Sequence, residues 1–166
     1  MKKIFFALNA VILAAGAVWC FGVWNGLPDR IPVHFGFDGQ PDRWTGKGGE
    51  LIVLMLMPFF MSALLYGLTA LARKYTGLLN VPDKEKLLAL PAEKQEPFWQ
   101  MLWEFMAALS VTLSLLFFSL VYSVAQVARG AASGLSWIFL AAISLMFLCI
   151  IVYIVRLRRA LKACIG

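Results

Sequence analysis

Four stretches of this chain hold no Asp, Glu, Lys or Arg: residues 4–25, 51–72, 105–128 and 135–155. Coiled as helices at about 1.5 Å per residue, each reaches roughly 31–36 Å, enough to cross a hydrocarbon layer of about 30 Å. Lipid offers no water to the backbone, so a crossing segment must satisfy its own amides, and an apolar run of this length does that as a helix. The composition agrees. Apolar residues make up 61% of the chain and charged residues 14%, where an ordinary soluble domain carries about 25% charge. These features predict an all-α integral membrane protein, with four transmembrane helices in one domain spanning residues 1–166. A loop at 26–50 separates the first two helices, and another at 73–97 precedes the third.

The residues flanking the runs set an expected orientation. Lys2 and Lys3 precede the first run, and Ala15-Gly16-Ala17 resembles a signal-cleavage site. The apolar character continues to Trp24, so an uncleaved anchor is expected. Eleven of the fifteen basic residues lie at the N-terminus, in the 73–97 loop and in the tail; Arg30, Arg43, Lys47 and Arg129 fall on the other side. The positive-inside rule then places both termini in the cytoplasm and the 26–50 loop outside. Anionic headgroups account for the net charge of +6, and no nucleic-acid partner is implied. Trp24, Trp44, Trp99, Trp103 and Trp137 lie near run ends, as an interfacial aromatic belt would place them. Cys20 and Cys149 fall in spans and Cys164 in the tail, so no disulfide framework is expected. No Cys-x-x-Cys, phosphate-binding glycine loop or His-Glu-x-x-His pattern is present, and no cofactor is expected.

The 26–50 loop holds the chain's only histidine and two copies of Pro-Asp-Arg. Ile31, Val33, Phe35 and Phe37 alternate with Pro32, His34 and Gly36, the period-two pattern of a half-buried strand. Asp38-Gly39 then suits a tight turn, and Gln40 to Trp44 can return. Pro32 and Pro41 must lie on unpaired edges, since neither donates to a ladder. An ordered extracellular cap is expected, its odd-numbered apolar residues on the helices or lipid and His34 on the opposite face near Asp42 and Arg43. Such a cap reads in three ways: a structural plug, a recognition surface, or a catalytic element. Asp38, Gln40 and Asp42 have the spacing that begins a calcium loop. Arg43 replaces the expected glycine, however, so His34, Asp38 and Asp42 are weak metal candidates.

Elsewhere the sequence suggests assembly. Ion- or proton-coupled transport usually needs ionisable groups within the spans, and the four runs have none. Glu104, beside Trp103, is expected to reach interfacial water. Ser62, Thr112, Ser119, Ser123, Gln126 and Ser144 are candidates for bonds between helices, and Ala10, Ala14 and Ala17 for a close-packing face. In the 73–97 loop, Asp83 is a plausible cap for an amphipathic helix bearing Leu87, Leu88 and Leu90 that would lie on lipid or dock a cytoplasmic regulatory partner.

Leu27-Pro28, Ile31-Pro32, His34-Phe35, Gly39, Asp42 and Lys47, set between two spans, resemble the domain-of-unknown-function 1648 family over about residues 10–70. That module opens the immunity proteins that protect bacteria from the sporulation-delaying-protein toxin. The resemblance implies a multi-pass protein of the bacterial cytoplasmic (inner) membrane with an immunity-like role, and it brings no catalytic residues. Pro28, Pro32, Gly39, Pro41 and Lys47 read as structural positions of the loop. The leading functional reading is a non-enzymatic protein whose outer loop recognises an extracellular peptide or envelope partner in an immunity, signalling or regulatory role. His34, Asp42 and Arg43 would make its polar contacts, and Phe35, Phe37 and Trp44 its apolar ones. The alternatives are a membrane-embedded enzyme acting on a lipid or peptide at the outer interface, with His34 as general base or metal ligand, and a structural subunit of a larger complex. The sequence leaves the oligomeric state open.

Overall fold

A computed structural model describes residues 2–166. Among these residues four helices are long and apolar enough to cross a membrane: α1 (Lys2–Trp24), α2 (Gly49–Lys74), α4 (Ala92–Ala128) and α5 (Trp137–Ile165). A short helix, α3 (Lys84–Ala89), lies between α2 and α4. Two antiparallel strands, β1 (Arg30–Phe35) and β2 (Pro41–Gly46), lie between α1 and α2. The chain is a multi-pass membrane protein. Its crossing part is helical as expected, and the 26–50 loop departs from an all-α fold because its alternating residues pair as a hairpin.

α4 is the axis, and α1, α2 and α5 each pack on it. Its 37 residues reach about 55 Å, well beyond one hydrocarbon layer. The buried face of α1 runs through Asn9, Cys20 and Val23. Gly16 belongs to the same face, because a Cβ there would run into the Phe118 ring of α4. The close-packing face expected at Ala10, Ala14 and Ala17 is therefore misplaced, since all three are exposed. A ring seated on Gly16 fixes the rotation of α1, and that rotation turns the alanines outward.

The same rotation buries an amide at membrane depth. Asn9 Nδ2 donates to Ser62 Oγ (2.9 Å) and Tyr66 Oη (3.3 Å) of α2, and Ser114 Oγ of α4 donates to Asn9 Oδ1 (2.8 Å). Tyr66 Oη also lies 2.5 Å from Ser110 Oγ, which donates to Ala107 O. Asn9, Ser110 and Ser114 are fully buried, and hydrogen-bonding leaves no buried side-chain donor or acceptor unmatched among the described residues. Polar groups without water gain most by bonding each other, so this network holds three helices in one register. Of the expected polar glue, Ser62 bonds between helices, and Ser123 donates to Ser136, the N-cap of α5. Ser119, Ser144 and Thr112 instead return their hydroxyls to carbonyls of their own helices.

At the far end from the hairpin, Glu104 is buried rather than wet. Its Oε1 accepts from Tyr153 Oη (3.1 Å) and lies 3.1 Å from Arg156 Nη1. The Tyr153 ring stacks on Phe105 and lies beneath the Arg156 guanidinium. The carboxylate of α4 is thus neutralised by α5 and does not need to reach the interface. The 73–97 loop also differs from expectation. Leu87 of α3 is fully buried against Leu79, Phe98, Trp99, Leu102 and Leu161. α3 rests on protein because α4 and α5 extend past the membrane and offer it an apolar seat. Asp83 makes no side-chain cap; it pairs with Lys86 (2.8 Å), whose pKa that bond and charge raise.

Asn9→Ala strands the partners of the amide and is expected to destabilise the bundle by about 1 kcal/mol. Thermal unfolding of the purified protein in detergent measures this, and an unchanged midpoint would show that the network contributes nothing net.

Candidate functional site

The hairpin follows from its residues. Gly39 N donates to Gly36 O (2.9 Å) and Gln40 N to Asp38 Oδ1 (3.0 Å), closing a turn around Phe37-Asp38. Gly39 takes a positive φ of 75°, which glycine adopts without steric cost. The register sets His34 opposite Arg43 and Phe35 opposite Pro41, with irregularities on both sides of His34. Those irregularities accommodate the missing donors of Pro32 and Pro41.

Three contacts fix the hairpin on the bundle. Ile31 is fully buried among Val23, Leu27, Leu51, Met55, Val121 and Val124, with Val33 and Phe35 packed beside it. Lys47 Nζ donates to Leu27 O (3.1 Å) and Trp24 O (3.4 Å) and lies over the Trp24 ring. Arg129 adds Nε to Gly26 O (3.3 Å) and Nη2 to Val23 O (3.5 Å). Val23 O and Trp24 O also accept from Gly26 N and Leu27 N. The two cations therefore add second bonds at the end of α1 and hold the Gly26 and Leu27 carbonyls just beyond it, where the helix dipole favours positive charge. The third contact is at the tip, where Leu135 N, between α4 and α5, donates to Gly39 O (2.9 Å).

A cavity of about 910 Å³ lies beneath this roof. β1 covers it, α2 contributes Leu51, Leu54 and Met57, α4 contributes Phe117, Leu120 and Val124, and Leu135 and Phe139 close the α5 side. The walls are apolar, and the polar groups His34, Arg43 and Glu50 also border it. From Gly49 to Met57 the α2 wall descends about 12 Å, which keeps the groove within one leaflet. His34 Nδ1 lies 2.6 Å from Asp42 Oδ1, and since a carboxylate only accepts, the imidazole donates. That bond commits Nδ1 and leaves Nε2 as the nitrogen that can meet a ligand. Side-chain exposures of 61% and 51% for this pair mean that it holds little of the fold together.

The structure thus brings His34, Asp42, Arg43 and Phe35 to one rim. Phe37 is fully exposed at the tip, and Trp44 is half-buried opposite Pro32, neither of them lining the groove. Of the weak metal candidates, Asp38 is bound into the turn and Asp42 to His34. No cluster of three metal-ligating His, Cys, Asp or Glu occurs among the described residues. Sequence reasoning missed the groove walls and Glu50. The one signal for Glu50 was a carboxylate at the very border of an uncharged run.

These features define a multi-pass membrane protein with an apolar groove roofed by a hairpin. Residues 11–61, covering most of α1, the hairpin and the first half of α2, match the family described as Domain of unknown function (DUF1648), and the chain carries that domain. An uncharacterized protein of Archaeoglobus fulgidus is 26% identical over 124 residues, 70% of this chain and 67% of that protein. No solved structure matches.

Gly134 faces the hairpin tip so closely that a Cβ there would overlap the Gly39 carbonyl. Gly134→Ala is expected to cost about 1–3 kcal/mol as an overpacked contact. Amide exchange at Leu135 should speed up with it, and unchanged protection there would count against docking of the tip.

Proposed function

We propose that this protein is a non-enzymatic recognition protein of a prokaryotic cytoplasmic membrane, with the hairpin outside and both termini in the cytoplasm. The excess of basic residues at the α3 end supports that orientation: eleven there against four at the hairpin end. Lys47 and Arg129 are occupied at the end of α1, which leaves Arg30 and Arg43 as the cations the hairpin end can offer a ligand. The observation that carries the reading is the 910 Å³ groove beneath β1, apolar in its walls and polar at His34, Arg43 and Glu50. Its volume lies in the range of small-ligand sites, about 300–1,000 Å³, and the combination of apolar walls with a few polar groups is what such sites share. The ligand is an amphiphilic component of the envelope, and binding it serves an immunity-like, signalling or regulatory role.

A photo-crosslinking amino acid at Val33, which lines the groove, is expected to yield a defined adduct in native membranes, identified by mass spectrometry. The same group at the exposed Gln40 should yield less. His34→Ala should reduce the Val33 adduct while thermal stability holds, because the His34–Asp42 pair is exposed. Crosslinks from Val33 only to the chain's own helices would instead make the hairpin a structural plug.

One observation favours a second reading. The 2.6 Å His34–Asp42 bond orients an imidazole as a general base would be oriented, toward a lipid or peptide headgroup at the same rim. Turnover of labelled envelope lipid by the purified protein, lost in His34→Ala, would establish it; binding without turnover leaves recognition in place.

A further inference from the structure

Resting on the groove reading above, we infer that the groove takes one acyl chain of a zwitterionic phospholipid, with the phosphate at Arg43 and the headgroup amine at Glu50. Depth selects the kind of occupant. The walls belong to the membrane-spanning helices α2, α4 and α5, so the occupant must already be dissolved in the leaflet, as a lipid chain is. Charge at the rim then selects the headgroup. Arg43 and Glu50 both border the groove, and neither forms an ion pair or side-chain hydrogen bond among the described residues. Of the other charged groups near this end, Asp42 is matched to His34, and Lys47 and Arg129 to backbone carbonyls at the end of α1, while the exposed Asp29 and Arg30 do not border the groove.

An unmatched cation and an unmatched anion at the mouth of one apolar slot complement a headgroup carrying both signs. A purely anionic headgroup would meet Arg43 favourably and Glu50 unfavourably; an amine beside the phosphate satisfies both. His34 adds a donor or acceptor through Nε2, since Nδ1 is held by Asp42. The hairpin sets this arrangement. β2 carries Arg43 opposite His34, while Glu50 stands in the first turn of α2.

The test reconstitutes the full chain in nanodiscs containing two probes at equal mole fraction. One is phosphatidylethanolamine and the other phosphatidylglycerol, each with a diazirine on its acyl chain. Adducts are mapped by mass spectrometry. The ethanolamine probe should label Leu54, Met57 or Phe139 roughly fivefold more than the glycerol probe, the size of effect that partly exposed charge pairs produce. Glu50→Gln should bring the two probes close to parity, and Arg43→Gln should lower labelling by both. Neither change disturbs packing, since both side chains are exposed. Equal labelling in the unmodified chain, unaltered by Glu50→Gln, would overturn the headgroup assignment while the groove remained a ligand site. A preference for the glycerol probe would overturn it too. Labelling confined to lipid-facing positions such as Val18 and Phe147 would overturn it as well; a non-lipid adduct at Val33 would then show that the groove reading survives.

Discussion

Burying apolar surface against apolar surface gains little when the surroundings are lipid, so this bundle depends on how closely its helices meet and on which polar groups they share. Both requirements converge on α4. It lets the Phe118 ring settle on Gly16 of α1, and it supplies Ser110 and Ser114 to a network completed by Asn9, Ser62 and Tyr66. Toward the opposite end, Glu104 of α4 joins Tyr153 and Arg156 of α5. Each neighbour of α4 is thus held by at least one hydrogen bond that has no aqueous competitor.

The hairpin depends on that arrangement in turn. The chain leaving α1 presents the Gly26 and Leu27 carbonyls to Arg129 and Lys47, which come from after α4 and before α2. Ile31 finds its pocket only because α1, α2 and α4 converge beneath it. Tied at its base and touching the α4–α5 connection at its tip, β1 bridges space that α2 and α5 do not fill. The groove is what remains under that bridge, and the exposed His34–Asp42 pair is carried at its rim without contributing much to the fold.

Much of this was legible from residue order. Charge-free runs located the spans, since a continuous apolar run of about 20 residues satisfies its backbone in lipid as a helix. The alternation from Ile31 to Phe35 located a strand and Asp38-Gly39 marked the turn. A strict alternation did not show that Pro32 is buried or that His34 borders the same groove as Val33 and Phe35, because the register shifts on both sides of His34. The alternation fails at Phe37, which the turn carries into the open. Glu104 and α3 were misjudged for a shared reason: both lie where helices extend beyond the apolar runs. Partners there, Arg156 for one and Phe98 with Leu161 for the other, come from distant sequence.

The sequence alone determined the number of spans and the hairpin, because hydropathy, pairing period and turn chemistry are local properties. The tertiary structure decided which face of α1 is buried, that Asn9 is shared by three helices, and that Lys47 and Arg129 serve one helix end. It also decided that Arg43 and Glu50 face a common groove. Those outcomes depend on helix rotation and on close approaches such as Phe118 to Gly16 and Gly39 to Gly134, which exist only once distant segments have packed.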